Sequence, residues 1–197
     1  MEILKIVESL KDEVYSIYNH LHSIPEKSWE EYKTSEFIKG KLEEAGFNVT
    51  ANVNNTTGII AVLKGKEDGI VYSVRADMDA LMFNVDGAEK AVHACSHDAN
   101  STMALAAALA VAKKGIKKGT LKMVFQPAEE VLGGAESMLE SGLLSDVDEM
   151  VGIHLRPIQE AKLNQATPAL SHGASGFMNA TIKGLNSVLK TMADNIG

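Results

Sequence analysis

Cysteine occurs once in this 197-residue chain, at Cys95, so no internal disulfide can staple the fold. That leaves a packed thiol, a nucleophile or a metal ligand. Arginine is nearly as scarce, with only Arg75 and Arg156 against 17 lysines. The lysines are scattered and the formal net charge is −7, so there is no basic stripe to neutralise phosphates. This argues against nucleic acid as the main partner. Long apolar runs are also missing. The longest, Met103 to Ala112, is too short to span a bilayer, and Glu2, Lys5 and Glu8 interrupt the first ten residues, unlike a signal peptide. No membrane association and a cytoplasmic location are the expectations. No repeat or low-complexity linker breaks the chain. The rest is ordinary for a globular protein, 45% hydrophobic and 23% charged, enough for one domain with a sizeable core.

Apolar residues at Ile3, Leu4, Val7, Leu10, Val14, Ile17, Tyr18 and Leu21 recur at helical spacing until Pro25, predicting one long opening helix. A second helix is expected from about Ser35 to Ala45, capped by Gly46. Val49 to Val53, Gly58 to Lys64 and Ile70 to Arg75 read as strands, the last two joined into a hairpin by Gly65 to Gly69. An alanine-rich helix to Lys113, a buried strand at Thr120 to Phe125, a helix at Ala135 to Gly142 and a strand at Glu149 to His154 follow. This alternation predicts an α/β fold, a three-layer α/β/α sandwich around a mixed, largely parallel sheet. In such sheets ligands gather beyond the strands' carboxyl ends.

Three segments carry chemistry at such ends. His93-Ala-Cys95-Ser-His97-Asp98 sets a thiol and two imidazoles within five residues, ahead of a carboxylate. Cys95 and His97 are two apart, so they reach one ion from a loop and not from a helix, which would splay them by about 200°. Both are therefore expected before the helix. A cysteine nucleophile with His97 as its base is the rival reading. Glu129 and Glu130 follow Pro127, which ends a strand. One carboxylate can bind metal while the other stays free as a base, and spacing leaves open which does which. His154 closes a third strand, and Arg75 and Arg156 stand where a planar fork can clamp carboxylates. His20, His22 and His172 are read as structural or supporting.

Taken as an ordered set, His22-Ser-Ile-Pro-Glu26 with Glu31-Tyr-Lys-Thr34, Arg75-Ala-Asp-Met-Asp-Ala-Leu81, His93-Ala-Cys-Ser-His-Asp98, Phe125-Gln-Pro-Ala-Glu-Glu130, Gly133-Gly-Ala135 and Gly152-Ile-His154 resemble one family. It is the dinuclear-metal amidohydrolases that include aminoacylase, hippurate hydrolase and the auxin-conjugate hydrolases. The resemblance implies two divalent ions, zinc, manganese, cobalt or nickel, held at the sheet edge by Cys95, His97, Glu130 and His154. It further implies that Glu129 is the general acid/base, with Asp77, Asp98 and Arg156 supporting the ligands or touching substrate. The implied reaction is hydrolysis of the amide bond of an N-acyl amino acid or a peptide-like conjugate, a small-molecule substrate.

The pattern departs from the family in three places. Ser96 stands where glycine is usual and Asn100 where histidine is usual. From Ser175 to Asn186 the chain resembles the opening strand of the family's lid domain, but a histidine expected after Ser187 is Val188, and no family pattern follows. Residues 1–174 are therefore expected to form the N-terminal part of the catalytic domain, and 175–197 the start of the lid with an unrelated tail. The expected consequences are one ion or none in place of two, weak or lost activity, and self-association through uncovered edges. The alternative is a non-catalytic remnant that binds metal or a partner chain.

Overall fold

The computed structural model describes residues 3–167. The chain divides into two compact units, 1–156 and 157–197. In the first, the elements run α1 (Ile3–Ser9), α2 (Lys11–Ser23), α3 (Tyr32–Glu44), β1 (Asn48–Ala51), a short 3-10 turn (Val53–Asn55), β2 (Ile59–Lys64), β3 (Glu67–Asp77), β4 (Leu81–Val85), β5 (Ala88–Val92), α4 (His97–Lys114), β6 (Lys118–Gln126), α5 (Gly134–Glu140) and β7 (Glu149–Gly152). The described part of the second unit consists of turns, such as that closed by Ala161 N–H on the Pro157 carbonyl. The expected lid strand at 175–186 lies outside the described residues.

Five strands form one mixed sheet in the order β1-β2-β6-β3-β7. The β1–β2 and β2–β6 pairs are antiparallel, and β6, β3 and β7 run parallel. Side chains alternate across it as period 2 requires. On one face Ile59, Ala61, Met123 and Phe125 join Ile17, Leu21, Ile38, Leu42, Leu105 and Ala108 of the helices in the main core. On the other, Ile60 and Val124 pack with Val53 and with Met138 of α5. Burying each large apolar side chain contributes about 1.5–3 kcal/mol, so the larger face dominates stability.

Two expectations need correction. The opening helix is broken at buried Leu10, with no proline or glycine to account for it; the break lets α1 and α2 each pack on α4. Tertiary packing overrides the helical pattern. Nor do β2 and β3 form a hairpin, because β6 enters between them. Gly65 and Gly69 give that strand room, since a Cβ on Gly65 would stand 2.8 Å from the Gly119 carbonyl oxygen and one on Gly69 3.0 Å from the Gly119 nitrogen.

A separate hairpin, β4–β5, is unanticipated by periodicity. Its turn, Asp86-Gly87, has φ of 54° and 81°, the left-handed pair that a two-residue hairpin loop demands. This hairpin links Asp79 to the His93–Asp98 segment. Because β3, β6 and β7 are parallel, Asp77, Gln126 and Gly152 end at one edge, and the residues that follow them converge there.

Candidate metal centre

His97 is the first residue of α4, not a loop residue ahead of it, and its side chain is 0% exposed. The reason lies one residue earlier. Ser96 has φ 63° and ψ 28°, a left-handed turn that brings Cys95 and His97 to the same side despite the helix start. Glycine adopts this conformation without the Cβ penalty, which gives the Ser96 departure a physical meaning.

The His97 ring is held through Nδ1, which lies 2.9 Å from the Asp79 carbonyl oxygen and 3.2 Å from Asp79 Oδ1. Its other nitrogen is left facing the site. Nε2 is 3.7 Å from Asp77 Oδ2, 3.8 Å from Glu129 Oε2 and 3.7 Å from Glu130 Oε1, too far for a hydrogen bond to any. His154 presents Nε2 to the same space, 3.8 Å from Asp77 Oδ2 and 3.7 Å from Cys95 Sγ, while its Nδ1–H donates to the Leu155 carbonyl at 2.6 Å. Cys95, His97 and His154 each offer a ligand atom within 4.8 Å of the others, and so do His97, Glu129 and Glu130. His97 belongs to both groups, and because its one free nitrogen serves a single cation at a time, the two groups form one overlapping cluster of five ligand-bearing residues.

The donor set fits divalent metal. Among the described residues, His97 Nε2 and Glu130 Oε1 are buried side-chain atoms without a hydrogen-bond partner. Such atoms are costly unless something outside the chain satisfies them. Thiolate, imidazole and carboxylate are borderline ligands for first-row ions such as zinc.

Electrostatics agree. Burial pushes the Cys95 thiol up to about 12, with Glu130, Glu129 and Asp77 adding to it, so without a cation the sulfur keeps its proton. A protonated thiol is a poor nucleophile, which argues against the cysteine-hydrolase reading. Burial pulls His97 down, but the Asp79 hydrogen bond and the charges of Asp77, Asp79 and Glu130 outweigh it and raise the imidazole above its ordinary value. Burial likewise raises Glu129, opposed by His97 and reinforced by Asp77 and Glu130. A raised carboxyl is better matched to general acid/base work near neutrality.

Around these groups lies a scaffold that spacing only partly reveals. Arg75 donates to Asp77 Oδ2 at 2.8 Å and, through Nε, to Gln126 Oε1 at 2.9 Å. Asn100 donates to Asp77 Oδ1 at 2.9 Å and accepts from the Leu155 N–H at 3.0 Å, tying the His154 segment to β3. Asp79, not singled out in the sequence, accepts from Ser28 Oγ at 2.6 Å and from the Glu130 N–H at 3.0 Å, besides holding His97. Its place two residues beyond Asp77 on a strand end was the available signal. Asp98 turns elsewhere, to His22 Nδ1 at 2.6 Å. His93 is buried, which lowers its basicity, and it belongs to neither ligand group. Arg156 is half-buried two residues beyond His154.

Residues 73–183 match peptidase family M20/M25/M40. The chain is 38% identical over 145 residues to an N-acetylcysteine deacetylase of Bacillus subtilis, covering 70% of this chain and 38% of that protein. It is 34% identical over 172 residues to an N-acyl-L-amino acid amidohydrolase of Geobacillus stearothermophilus, covering 82% and 46%. A solved structure of a dinuclear metal binding peptidase of the M20 family from Bacillus subtilis superposes with a TM-score of 0.69 at 34% identity, covering 76% of this chain and 44% of that one. The chain spans less than half the length of these relatives. No helix among the described residues is long and apolar enough to cross a membrane. With more than half of its sequence matched, ligand-bearing segments included, the chain belongs to peptidase family M20/M25/M40.

Proposed function

We propose that this chain supplies the metal-binding half of an amidohydrolase that cleaves the amide bond of N-acyl amino acids or related peptide-like conjugates. The observation that carries this reading is the pair of unpartnered buried atoms, His97 Nε2 and Glu130 Oε1, within a cluster that also holds Cys95, His154 and Glu129. Cys95, His97, Glu130 and His154 would hold the metal, Cys95 as a thiolate. Divalent ions there supply Lewis acidity that polarises the amide carbonyl and acidifies water.

The protein's own part is proton handling and orientation. Glu129, partly exposed and raised by burial, takes a proton from the attacking water as the new C–O bond forms. When the C–N bond breaks, the same carboxyl returns that proton to the departing amine. Asp79 fixes the His97 ring, Arg75 and Asn100 fix Asp77, and Asn100 steadies the backbone after His154. Arg156, half-buried two residues beyond His154, is the residue proposed to meet a substrate carboxylate, which a guanidinium suits.

Partner chemistry follows from the surface. Every residue of β7 is exposed, and Tyr72, Met150 and Val151 put apolar area beside an edge that has no partner strand among the described residues, which favours self-association. The test is a panel of N-acyl amino acids assayed with zinc, manganese, cobalt or nickel, alongside light scattering. Turnover abolished by Glu129→Ala supports the reading; turnover unchanged by it removes the base. Metal uptake without turnover on any member supports the alternative, a chain that binds metal or a partner without catalysis.

A further inference from the structure

Glu31 sits far from the ligand cluster in sequence, at the start of α3, yet its carboxylate is among the most deeply buried charged groups of the described residues, at 0% exposure. Three donors converge on it. Oε1 accepts the Ala128 N–H at 2.8 Å and the Trp29 N–H at 3.1 Å, and Oε2 accepts the Thr57 hydroxyl. A carboxylate at the first residue before a helix normally caps it by accepting the next free N–H groups. Glu31 makes no such cap. Glu26 does so instead, accepting from the Lys33 N–H at 3.1 Å and the Thr34 N–H at 2.9 Å. Glu31 is thereby released to reach across to the segment after β6.

What it reaches is the residue before Glu129. Ala128 has φ 48°, a left-handed conformation that a residue with a Cβ rarely adopts and that costs about 1–2 kcal/mol. The same loop is closed by the Gly134 N–H on the Ala128 carbonyl at 3.3 Å, and a Cβ on Gly134 would fall 1.6 Å from the Pro127 carbonyl oxygen. A buried acid is expensive to maintain for stability alone, since burial already raises Glu31. Its partners give it a use: the carboxylate stabilises the one backbone turn that sends Glu129 and Glu130 back toward His97.

We propose that Glu31 is a positioning residue for the carboxylate pair, holding Ala128 in its left-handed turn so that Glu129 and Glu130 face His97. Its consequence for metal rests on the function proposed above. The claim about the loop does not.

The discriminating variants differ in length and charge. Glu31→Gln keeps an oxygen at the same reach for the Ala128 N–H; Glu31→Asp keeps the charge but falls short by one methylene. Hydrogen exchange on the metal-free 197-residue chain is read for the 128–134 segment against β6 and α3. Glu31→Asp is expected to speed exchange of that segment by at least about tenfold, the worth of a hydrogen bond to a charged group, with β6 unchanged. Glu31→Gln is expected to stay within about threefold of wild type, on the same hydrogen-bond scale. Adding Ala128→Gly to Glu31→Asp recovers part of the protection, because glycine takes the left-handed turn without strain. Cobalt affinity follows the same order, about tenfold weaker in Glu31→Asp. Loop exchange in Glu31→Asp equal to wild type, or a Gln variant looser than the Asp variant, overturns the proposal. A wild-type chain that takes up no cobalt defeats the metal reading, and the exchange order still decides the role of Glu31.

Discussion

His97 Nε2 and Glu130 Oε1 lie 3.7 Å apart, both buried and both without a hydrogen-bond partner, although a single proton between closer atoms would satisfy them. Two ligand atoms flanking one cation sit at about this separation, since each metal–ligand bond is about 2 Å. Removing either atom should therefore weaken metal binding more than it weakens the fold. Glu130→Gln is expected to lower zinc affinity by at least about 100-fold, since the loss of a ligand's charge should exceed the roughly 10- to 100-fold that changes behind a ligand cause. Calorimetric titration measures it, with thermal melting of the metal-free variant as the control.

Metal uptake should release protons. Cys95 keeps its proton up to about 12, and the carboxylate neighbours of His97 raise it against the pull of burial, so the thiol is protonated near neutrality and the imidazole holds its proton more firmly than an ordinary histidine. Binding requires the deprotonated forms, and apparent affinity rises with pH by up to about tenfold per unit for each proton displaced. Calorimetry in buffers of different ionisation enthalpy counts those protons; a count of zero contradicts the ligand set.

Stability of the metal-free chain should peak in a defined pH window. Burial pushes Asp79 up, but hydrogen bonds from His97, Ser28 and the Glu130 N–H outweigh it and lower it below 3.8, so its contribution is present above that value and lost as pH falls through its folded value. His97 is raised above 6.5, so its contribution is full below that value and lost as pH rises through its folded value. The pair thus stabilises most between about 3.8 and 6.5, the ordinary values of the two groups. Urea unfolding across pH should show this hump in wild type and a flatter profile in His97→Gln.

Ser96→Gly should stabilise the chain by about 0.5–1 kcal/mol, because φ 63° strains a residue with a Cβ more than glycine's extra unfolded freedom costs. Gly134→Ala should do the reverse. Its Cβ would lie 1.6 Å from the Pro127 oxygen, so the loop must move, at a cost above about 3 kcal/mol, the range of severe core disruption. Chemical denaturation of both variants tests the pair of signs.

Much of this site was legible in the sequence because cysteine and histidine are scarce in the chain, one and six residues, and the ligand candidates stand at strand ends. Cys95, His97, Glu129, Glu130 and His154 meet as the spacing suggested, and parallel pairing of β6, β3 and β7 is what brings them together. The supports were harder to read. Glu31 reaches Ala128 across 97 positions, and Asp79 braces Glu130 across 51, distances at which local pattern carries no information. The insertion of β6 between β2 and β3 was hidden for the same reason: Gly65 to Gly69 reads as a turn, and only the glycines' contact with Gly119 reveals that a strand passes between. By contrast Asp86-Gly87 is a local hairpin signal, but Leu81-Met-Phe ahead of it is a continuous apolar run without the polar alternation that marks a half-buried strand.

X-ray absorption at the zinc edge of the loaded 197-residue chain asks the central question most directly. Sulfur scattering at about 2.3 Å beside nitrogen or oxygen at about 2.0–2.1 Å is the expected shell, with the sulfur lost in Cys95→Ser and the nitrogen reduced in His97→Ala. A shell of oxygen alone that neither substitution alters would contradict the account.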